Sequence, residues 1–475
     1  MTDSSDIATR RVRDIMTANP VTVAADSTVA AAAAIVRERR ISCVLVTEHG
    51  ALTGIVTTSD LVARVLAEHR DADTPVREVM TANPETIDVD ALAHDALLAL
   101  AARGVGHFPV LHDGRLVGIV TRSNLLAQQS ASAGTMVLGI ARAATVDEIA
   151  AVVSRVPQLL MQLVGSGVAP ETIGRLITDV TDACTRRLIS FAESQLGPAP
   201  VPWLWLACGS QGRREQTGVS DQDNCLIIHP TMRPDHDAWF ASFARQVSDG
   251  LNACGFVYCP GDMMATNARW RQPLPVWEQY FEQWIRQPDP MAQMLASVMF
   301  DLRPIQGDES LFDGLQARTL AMARNNSIFV AHMVANASTH SPPLNFLGRL
   351  ATIRSGEHEG RIDLKHAGVV PITDLARIYA LRAELLPVNT RERLLDAREA
   401  AAISASGGGD LIDAYDLIAR IRLEHQAAQI RRQEKPDNFM APAELSDLER
   451  GHLRDAFVVV RTMQAALGQG RGLRS

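Results

Sequence analysis

Residues 203–228 read WLWLACGSQGRREQTGVSDQDNCLII. The run opens with an apolar strand from Trp203 to Cys208, turns at Gly209-Ser210, passes through a short polar segment, and enters a second strand at Asp221 that is wholly apolar from Cys225. Two strands joined this way form a small hairpin with its polar residues at one end. Alternate side chains of a strand share a face, so Asp221 and Asp223 project together, about 7 Å apart along the chain. Two hard carboxylates at that spacing suit Mg²⁺, which is held by one or two carboxylates together with substrate phosphates and waters. Gly209 lets the backbone approach a phosphate, Ser210 offers N–H and hydroxyl donors, and Arg213 offers a charged fork.

The turn Gly209-Ser210 followed by Asp221-Gln222-Asp223 resembles the signature of the polymerase-β-like nucleotidyltransferase superfamily. The fuller run GSQGRREQTGVSDQDN is similar to the branch related to PII-protein uridylyltransferases, and closest to bacterial proteins that join CBS domains to a nucleotidyltransferase domain. The resemblance implies Asp221 and Asp223 as catalytic, metal-holding residues. It implies Gly209, Ser210, Gly212, Arg213, Glu215 and Ser220 as the nucleotide-binding set, with Mg²⁺ as cofactor and an NTP as substrate. It also implies a third carboxylate on a neighbouring strand. Asp262, in CPGDMMATN just beyond an expected strand at Gly255 to Cys259, is the first candidate, and Asp301, in MFDLRP, the second. The plain structural readings are a turn residue for Asp262 and a partner of Arg303 for Asp301.

An internal repeat precedes this hairpin. RDIMTANP at 13–20 returns as REVMTANP at 77–84, and GIVTTSDL at 54–61 returns as GIVTRSNL at 118–125, both offset by 64 residues. Each copy reads strand, Ala-rich helix, strand, a turn at His49-Gly50 or Asp113-Gly114, strand, helix. One such unit leaves a sheet face uncovered and needs its twin. The arrangement resembles a CBS-domain pair over 10–128, with copies at 10–66 and 74–128. The resemblance implies an adenosine nucleotide (AMP or ATP) as regulatory ligand, contacted by Thr57 and Asp60 in the first copy and Thr121 and Asn124 in the second, and a homodimer through the CBS pair. Asn124 lacks the charge of Asp60, so the two sites are expected to be unequal. The simpler reading is that Asp60 and Asn124 cap the helices beginning at Leu61 and Leu125.

Composition bounds the remaining readings. The chain has 475 residues, 47% of them hydrophobic, enough for about three domains with sizeable cores. A net charge of -8 without a basic block argues against nonspecific nucleic-acid binding. Six cysteines without a C-x-x-C pair read as buried reduced thiols, and no apolar run is long enough to span a membrane, so a cytoplasmic protein is expected. Between the repeat and the hairpin lie helical patterns over 131–141, 146–164 and 171–196, with Pro157 placed to divide the second and Thr145 and Glu148 forming a capping box. Beyond residue 270 the chain is helical, and its Trp270, Trp277, Tyr280, Phe281 and Trp284 set reads as core. Asp363-Leu364-Lys365-His366 looks family-like; Lys365 is read as exposed or as meeting a phosphate.

The expected fold class is α+β multidomain: an N-terminal tail at 1–9, the tandem CBS pair at 10–128, a helical connector at 129–197, a polymerase-β-like α/β nucleotidyltransferase domain at 198–305, and an α-helical substrate-binding domain at 306–475. The expected function is Mg²⁺-dependent transfer of a nucleotidyl group from an NTP to an acceptor such as a small signalling protein, regulated by adenosine nucleotides at the CBS pair. Two other readings stand beside it: a catalytically weak or inactive nucleotide-sensing regulator acting through a partner, and a CBS-only sensor on an inert helical scaffold.

Overall fold

The computed structural model describes residues 11–39, 41–92, 95–96, 99, 105–121, 133–218, 220–287 and 290–468. It divides into two compact units, Met1–Ala131 and Ser132–Ser475.

In the first unit the repeat builds two four-stranded sheets. The strands are β1 (Thr17–Ala18), β2 (Thr22–Ala24), β3 (Cys43–Glu48), β4 (Ala51–Thr57), β5 (Thr81–Ala82), β6 (Ile87–Asp88), β7 (His107–His112) and β8 (Arg115–Thr121). The sheet orders are β2-β3-β4-β5 and β1-β8-β7-β6. Both hairpins close as the sequence predicts, at His49-Gly50 and Asp113-Gly114, where all four residues take positive φ, the geometry that matches strand twist in a two-residue turn. The short strands β1 and β5, from the two MTANP segments, were not expected, and they are exchanged. β5 completes the first sheet by pairing with β4, whereas β1 pairs with β8 in the second. The fit explains a glycine in each GIVT segment: a Cβ on Gly54 would collide with Met80, and one on Gly118 with Met16. Buried Cys43, Leu45 and Ile55 of one copy pack with Ile119 of the other, and Ser42 Oγ lies 2.7 Å from His107 Nε2.

The second unit is built on a mixed sheet ordered β13-β11-β9-β14. Its strands are β9 (Trp203–Ala207), β11 (Asn224–Ile228), β13 (Arg271–Pro273) and β14 (Arg303–Gly307), with β10 (Asp221–Gln222) and β12 (Val257–Tyr258) forming a separate parallel pair. The antiparallel hairpin runs from Asn224↔Ala207 to Ile228↔Trp203. The expected single strand from Asp221 is therefore broken at Asp223, because β10 leaves β9 to pair with β12. Both long strands are buried throughout, so each face of the sheet must be covered. On one face Trp203 and Trp205 meet Phe243 of the helix Asp237–Ala253, at centroid distances of 4.8 and 6.0 Å. On the other, Leu204, Leu206, Cys225 and Ile227 join Trp270, Trp277, Phe281 and Trp284 in a core continuous with the C-terminal helices. The aromatic set is thus core, and Trp277 Nε1 donates to the carbonyl of Leu226 at 3.1 Å.

The helical patterns before the hairpin appear as Ala133–Arg142, Val146–Val153, Val156–Gly165 and Pro170–Leu196, with Pro157 in the first turn of the third. Thr145 Oγ1 accepts from the Glu148 N–H at 3.2 Å, while Glu148 reaches back to the N–H of Ala144 at 2.7 Å. The helix Pro170–Leu196 packs along Asp237–Ala253, where a Cβ on Gly250 would strike Leu188. The remainder is largely helical and includes Leu274–Arg286, Ser310–Arg324, Ser327–Ala337, Val370–Ala383, Thr390–Glu399, Ala405–Arg431 and Asp447–Gly468. No helix of the described residues is long and apolar enough to cross a membrane.

Candidate active site

The backbone break at Asp223 shapes the site. Gln222 turns inward, its Nε2 donating to the carbonyls of Ser248 and Phe256, both at 3.0 Å, and its neighbours Asp221 and Asp223 therefore share the opposite side. Beyond β12 the chain brings in Cys259, and one donor atom each from Asp221, Asp223 and Cys259 lie within 4.8 Å of one another. Burial and the neighbouring charge of Asp221 push the Asp223 carboxyl up to about 6, against the opposing pull of a hydrogen bond from Cys259 and the charges of Lys365 and Arg213. The Cys259 thiol is raised to about 11 by burial and by Asp223. Gly209, at φ +58°, brings the turn against this carboxylate: a Cβ there would sit 2.6 Å from Asp223 Oδ2, so the cradle admits glycine alone.

Neither candidate for the third carboxylate joins the pair. Asp262 sits in a left-handed turn at φ +54°, with its Oδ2 accepting from Asn267 Nδ2 at 2.7 Å, and it lies outside the Asp221–Asp223–Cys259 group. Asp301 is fully buried and surrounded by arginines. Arg377 donates to both of its oxygens, at 3.1 and 2.6 Å, and Arg213 and Arg393 each donate to one at 2.6 Å. Burial alone would raise this carboxyl, but the charges of Arg377, Arg393 and Arg213 outweigh it and hold the group well below the usual carboxylate range. Arg303 pairs not with Asp301 but with Asp182, and it also donates to the carbonyls of Gln211 and Gly212, tying down the end of the turn.

The same network holds three of the residues expected at the nucleotide. Arg213 turns into the protein, donating to Glu215 at 2.8 Å and to Asp301. Glu215 uses its other oxygen to accept the N–H of Thr390 at 2.7 Å, anchoring the helix Thr390–Glu399. A Cβ on Gly212 would collide with the carbonyl of Asp301, so that glycine serves close backbone packing. Arg213, Glu215 and Gly212 fasten the turn to the helical domain.

Four of the expected contacts face a cleft between the turn and the C-terminal helices, with a cavity volume of about 60 Å³. Ser210, Arg213, Glu215 and Ser220 line it, together with Arg214, Lys365, Arg391 and Arg422. Arg214, immediately after the inward Arg213, takes φ +60° and is exposed. Lys365 is oriented by Asp363, whose Oδ1 accepts the N–H groups of Lys365 and His366 at 2.9 Å each. Lys365 is one of only two lysines in the chain, which was the one sequence signal for it. Arg422 is lowered to about 10 by burial, and its Nε donates to Asn438 at 2.6 Å. Nothing in the helical pattern distinguished Arg391 or Arg422 from surface arginines.

In the repeat unit, Thr57 and Asp60 form a reciprocal cap. Asp60 Oδ2 accepts from the Thr57 N–H and hydroxyl at 2.9 and 2.7 Å, Thr57 Oγ1 accepts from the Asp60 N–H at 3.2 Å, and Arg64 pairs with Asp60 Oδ1 at 3.3 Å. Thr121 ends β8 in the equivalent place, and Asn124 lies outside the described residues.

Comparison with known proteins finds three matching families: "CBS domain" at residues 12–67 and 76–130, "Putative nucleotidyltransferase DUF294" at 154–291, and "Putative nucleotidyltransferase substrate binding domain" at 327–470. The CBS domain-containing protein YhcV of Bacillus subtilis is 31% identical over 131 residues, 27% of this chain and 94% of YhcV. The carnitine transport ATP-binding protein OpuCA of Listeria monocytogenes is 32% identical over 118 residues, 24% of this chain but only 28% of OpuCA. Among solved structures, CBSX2 in complex with AMP is 25% identical and covers 25% of this chain and 95% of its own, with a TM-score of 0.23.

Proposed function

Because the chain belongs to the CBS-domain proteins and carries, behind its CBS pair, a nucleotidyltransferase-family domain and the matching substrate-binding domain, we propose that it transfers a nucleotidyl group from an NTP to an acceptor under control of the CBS pair. The observation that supports this most is the meeting of the Asp221–Asp223 pair with a cation-lined cleft, through Lys365, which lines the cleft and whose charge acts on Asp223. Two carboxylates held together beside a glycine cradle fit Mg²⁺, an ion that takes few protein oxygens and completes its shell with phosphate and water. Asp221 and Asp223 would hold it, and when bound it supplies charge neutralisation and a template for the phosphates.

The chain's own groups do the rest. The hydroxyls of Ser210 and Ser220 and the cations Lys365, Arg214 and Arg422 bind and orient the polyphosphate. The Arg213–Asp301–Glu215 network fixes the turn so that Ser210 and Asp223 keep their relative positions without reorganisation, which is where positioning and electrostatic preorganisation gain most. The helical half of the cleft admits the acceptor, whose hydroxyl attacks the α-phosphate as pyrophosphate leaves; a small signalling protein is the acceptor class that the PII-uridylyltransferase resemblance favours. At the CBS pair, an adenosine nucleotide engages the Thr57–Asp60 end of the first copy and alters transfer.

The test is incubation of the full chain with Mg²⁺ and each labelled NTP in a cell extract, following label transfer and pyrophosphate release with and without AMP or ATP. Transfer by wild type and none by the Asp221→Asn/Asp223→Asn double variant is the expected result. Undiminished transfer by the double variant would overturn the assignment.

A further inference from the structure

The strand next to the Asp-x-Asp segment offers sulfur where a carboxylate was expected. β10 and β12 pair in parallel with Asp221 opposite Val257 and Gln222 opposite Tyr258, so the next step brings Asp223 level with Cys259. Burial alone accounts for most cysteines, which behave as small hydrophobes, and the other five here are buried. Cys259 differs: it is half-buried and its sulfur lies within 4.8 Å of carboxylate oxygens of both Asp221 and Asp223. The following loop cannot supply an acid, since its one carboxylate, Asp262, is turned away and held by Asn267.

A second observation points to a ligand. Asp301 has three guanidinium partners, whereas Asp223, half-buried and facing the like charge of Asp221, has no ion-pair partner among the described residues. Two facing carboxylates without a bonded cation are costly to bury. A shared ion would remove that cost, and Gly209 keeps the space beside Asp223 free of side chain. With metal–oxygen bonds of about 2.1 Å and metal–sulfur bonds of about 2.3 Å, three donors around one ion stand roughly 3.4–3.8 Å apart, so these donors, now within 4.8 Å, close by up to about 1.4 Å.

Building on the transferase reading, we propose that Cys259 is the third protein donor to the cation, making a two-carboxylate, one-thiolate centre that takes Mn²⁺ and Co²⁺ in preference to Mg²⁺. The chemistry follows from donor softness. Magnesium gains little from sulfur, while the later divalent ions of the first transition row accept carboxylate and thiolate together. The catalytic ion in this chain is then set by a residue outside the Asp-x-Asp segment, and replacing one sulfur changes metal preference without touching either aspartate.

The experiment titrates the full-length protein with Co²⁺ without nucleotide and follows thiolate-to-cobalt charge-transfer absorption, with Mn²⁺ and Mg²⁺ as competitors. The expected result is a band saturating at one Co²⁺ per chain, absent in Cys259→Ser. That variant should bind Co²⁺ and Mn²⁺ at least about tenfold more weakly and Mg²⁺ within about twofold of wild type. Cys259→Asp should bind Mg²⁺ more tightly than wild type. Cobalt bound without the band, or bound equally by Cys259→Ser, would overturn the sulfur ligand and leave the Asp221–Asp223 reading intact. Failure of wild type to bind any of the three ions would overturn both.

Discussion

Asp301 and Asp223 sit in the same unit, the first fully and the second partly withdrawn from water, yet their surroundings are opposites. Asp301 meets Arg213, Arg377 and Arg393 in direct hydrogen bonds and is held ionised far below the normal range. Asp223 meets another carboxylate and a thiol, and is raised to about 6. An acid so over-supplied with cations has no capacity left for a ligand. An acid so under-supplied gains most from one. The pair teaches that burial of a carboxylate is uninformative about role until its counter-charges are counted.

The largest effect should come from removing the saturated acid. Asp301→Ala leaves three arginines, two of them fully withdrawn from solvent, without their common partner, and should cost about 3–5 kcal/mol in urea unfolding. A cost under about 1 kcal/mol would mean the network is not the anchor described here. The sign of its pH dependence follows from the depressed native value: the contribution is complete above the unfolded-state carboxylate range near pH 4 and is lost on further acidification. Wild type should therefore lose stability steeply below about pH 4, and Asp301→Asn should show a shallower slope.

The under-supplied acid should behave in reverse. Asp223→Asn is expected to reduce nucleotidyl transfer by about 10³-fold, close to 4 kcal/mol in transition-state terms, while NTP binding measured by calorimetry falls only a few-fold. It should also stabilise the apo protein. The native value of about 6 lies above the unfolded one, so wild type loses stability as pH rises from about 4 to 6. Asp223→Asn avoids that loss and should be more stable by up to about 3 kcal/mol above pH 6, and no more stable below pH 4. A destabilised Asp223→Asn at pH 8 would show that the carboxylate is compensated after all.

The cations divide along the same line. Lys365→Ala should weaken NTP affinity about tenfold, near 1.4 kcal/mol, with the melting temperature little changed. Arg213→Ala should do the opposite, costing stability through Asp301 and Glu215. Calorimetry and thermal melting on both variants decide the matter, and an affinity loss in Arg213→Ala without loss of stability would return that residue to the phosphate site. The smallest effect belongs to the CBS unit: Asp60→Ala should cost about 1 kcal/mol through its cap and abolish most of any melting-temperature rise given by AMP or ATP.

What the sequence displayed was local or periodic. The hairpin was legible because Trp203–Ala207 and Cys225–Ile228 are unbroken apolar runs bounded by turn residues, and the repeat because two motifs recur at one offset. The break at Asp223 was not, since it is set by β12, more than thirty residues later, competing with β9 for the backbone of Asp221 and Gln222. Asp301 could not be read as a hub, because two of its arginines arrive from helices beginning at Val370 and Thr390, and the near neighbour Arg303 goes to Asp182 instead. Asp262 reads as the third carboxylate because it lies just beyond the expected strand, and Cys259 reads only as one of six buried thiols. The left-handed turn at Asp262, which swings the carboxylate to Asn267, is a backbone property that one sequence does not reveal.

The exchanged strands of the CBS pair bear on how this chain leaves the ribosome. The first sheet needs β5, so it cannot close its fourth position until residues 81–82 have been synthesised, while β1, made first, must wait for β8 near residue 118. A nascent chain stalled between the copies carries one unpaired β1 segment and one open β4 edge, the kind of surface that recruits a second chain. Two such stalled chains can complete each other by supplying the missing strand in trans. The duplication is therefore also a kinetic commitment: fusing both halves in one polypeptide keeps the exchange intramolecular and protects the long C-terminal unit from being synthesised behind a sticky, half-made sheet.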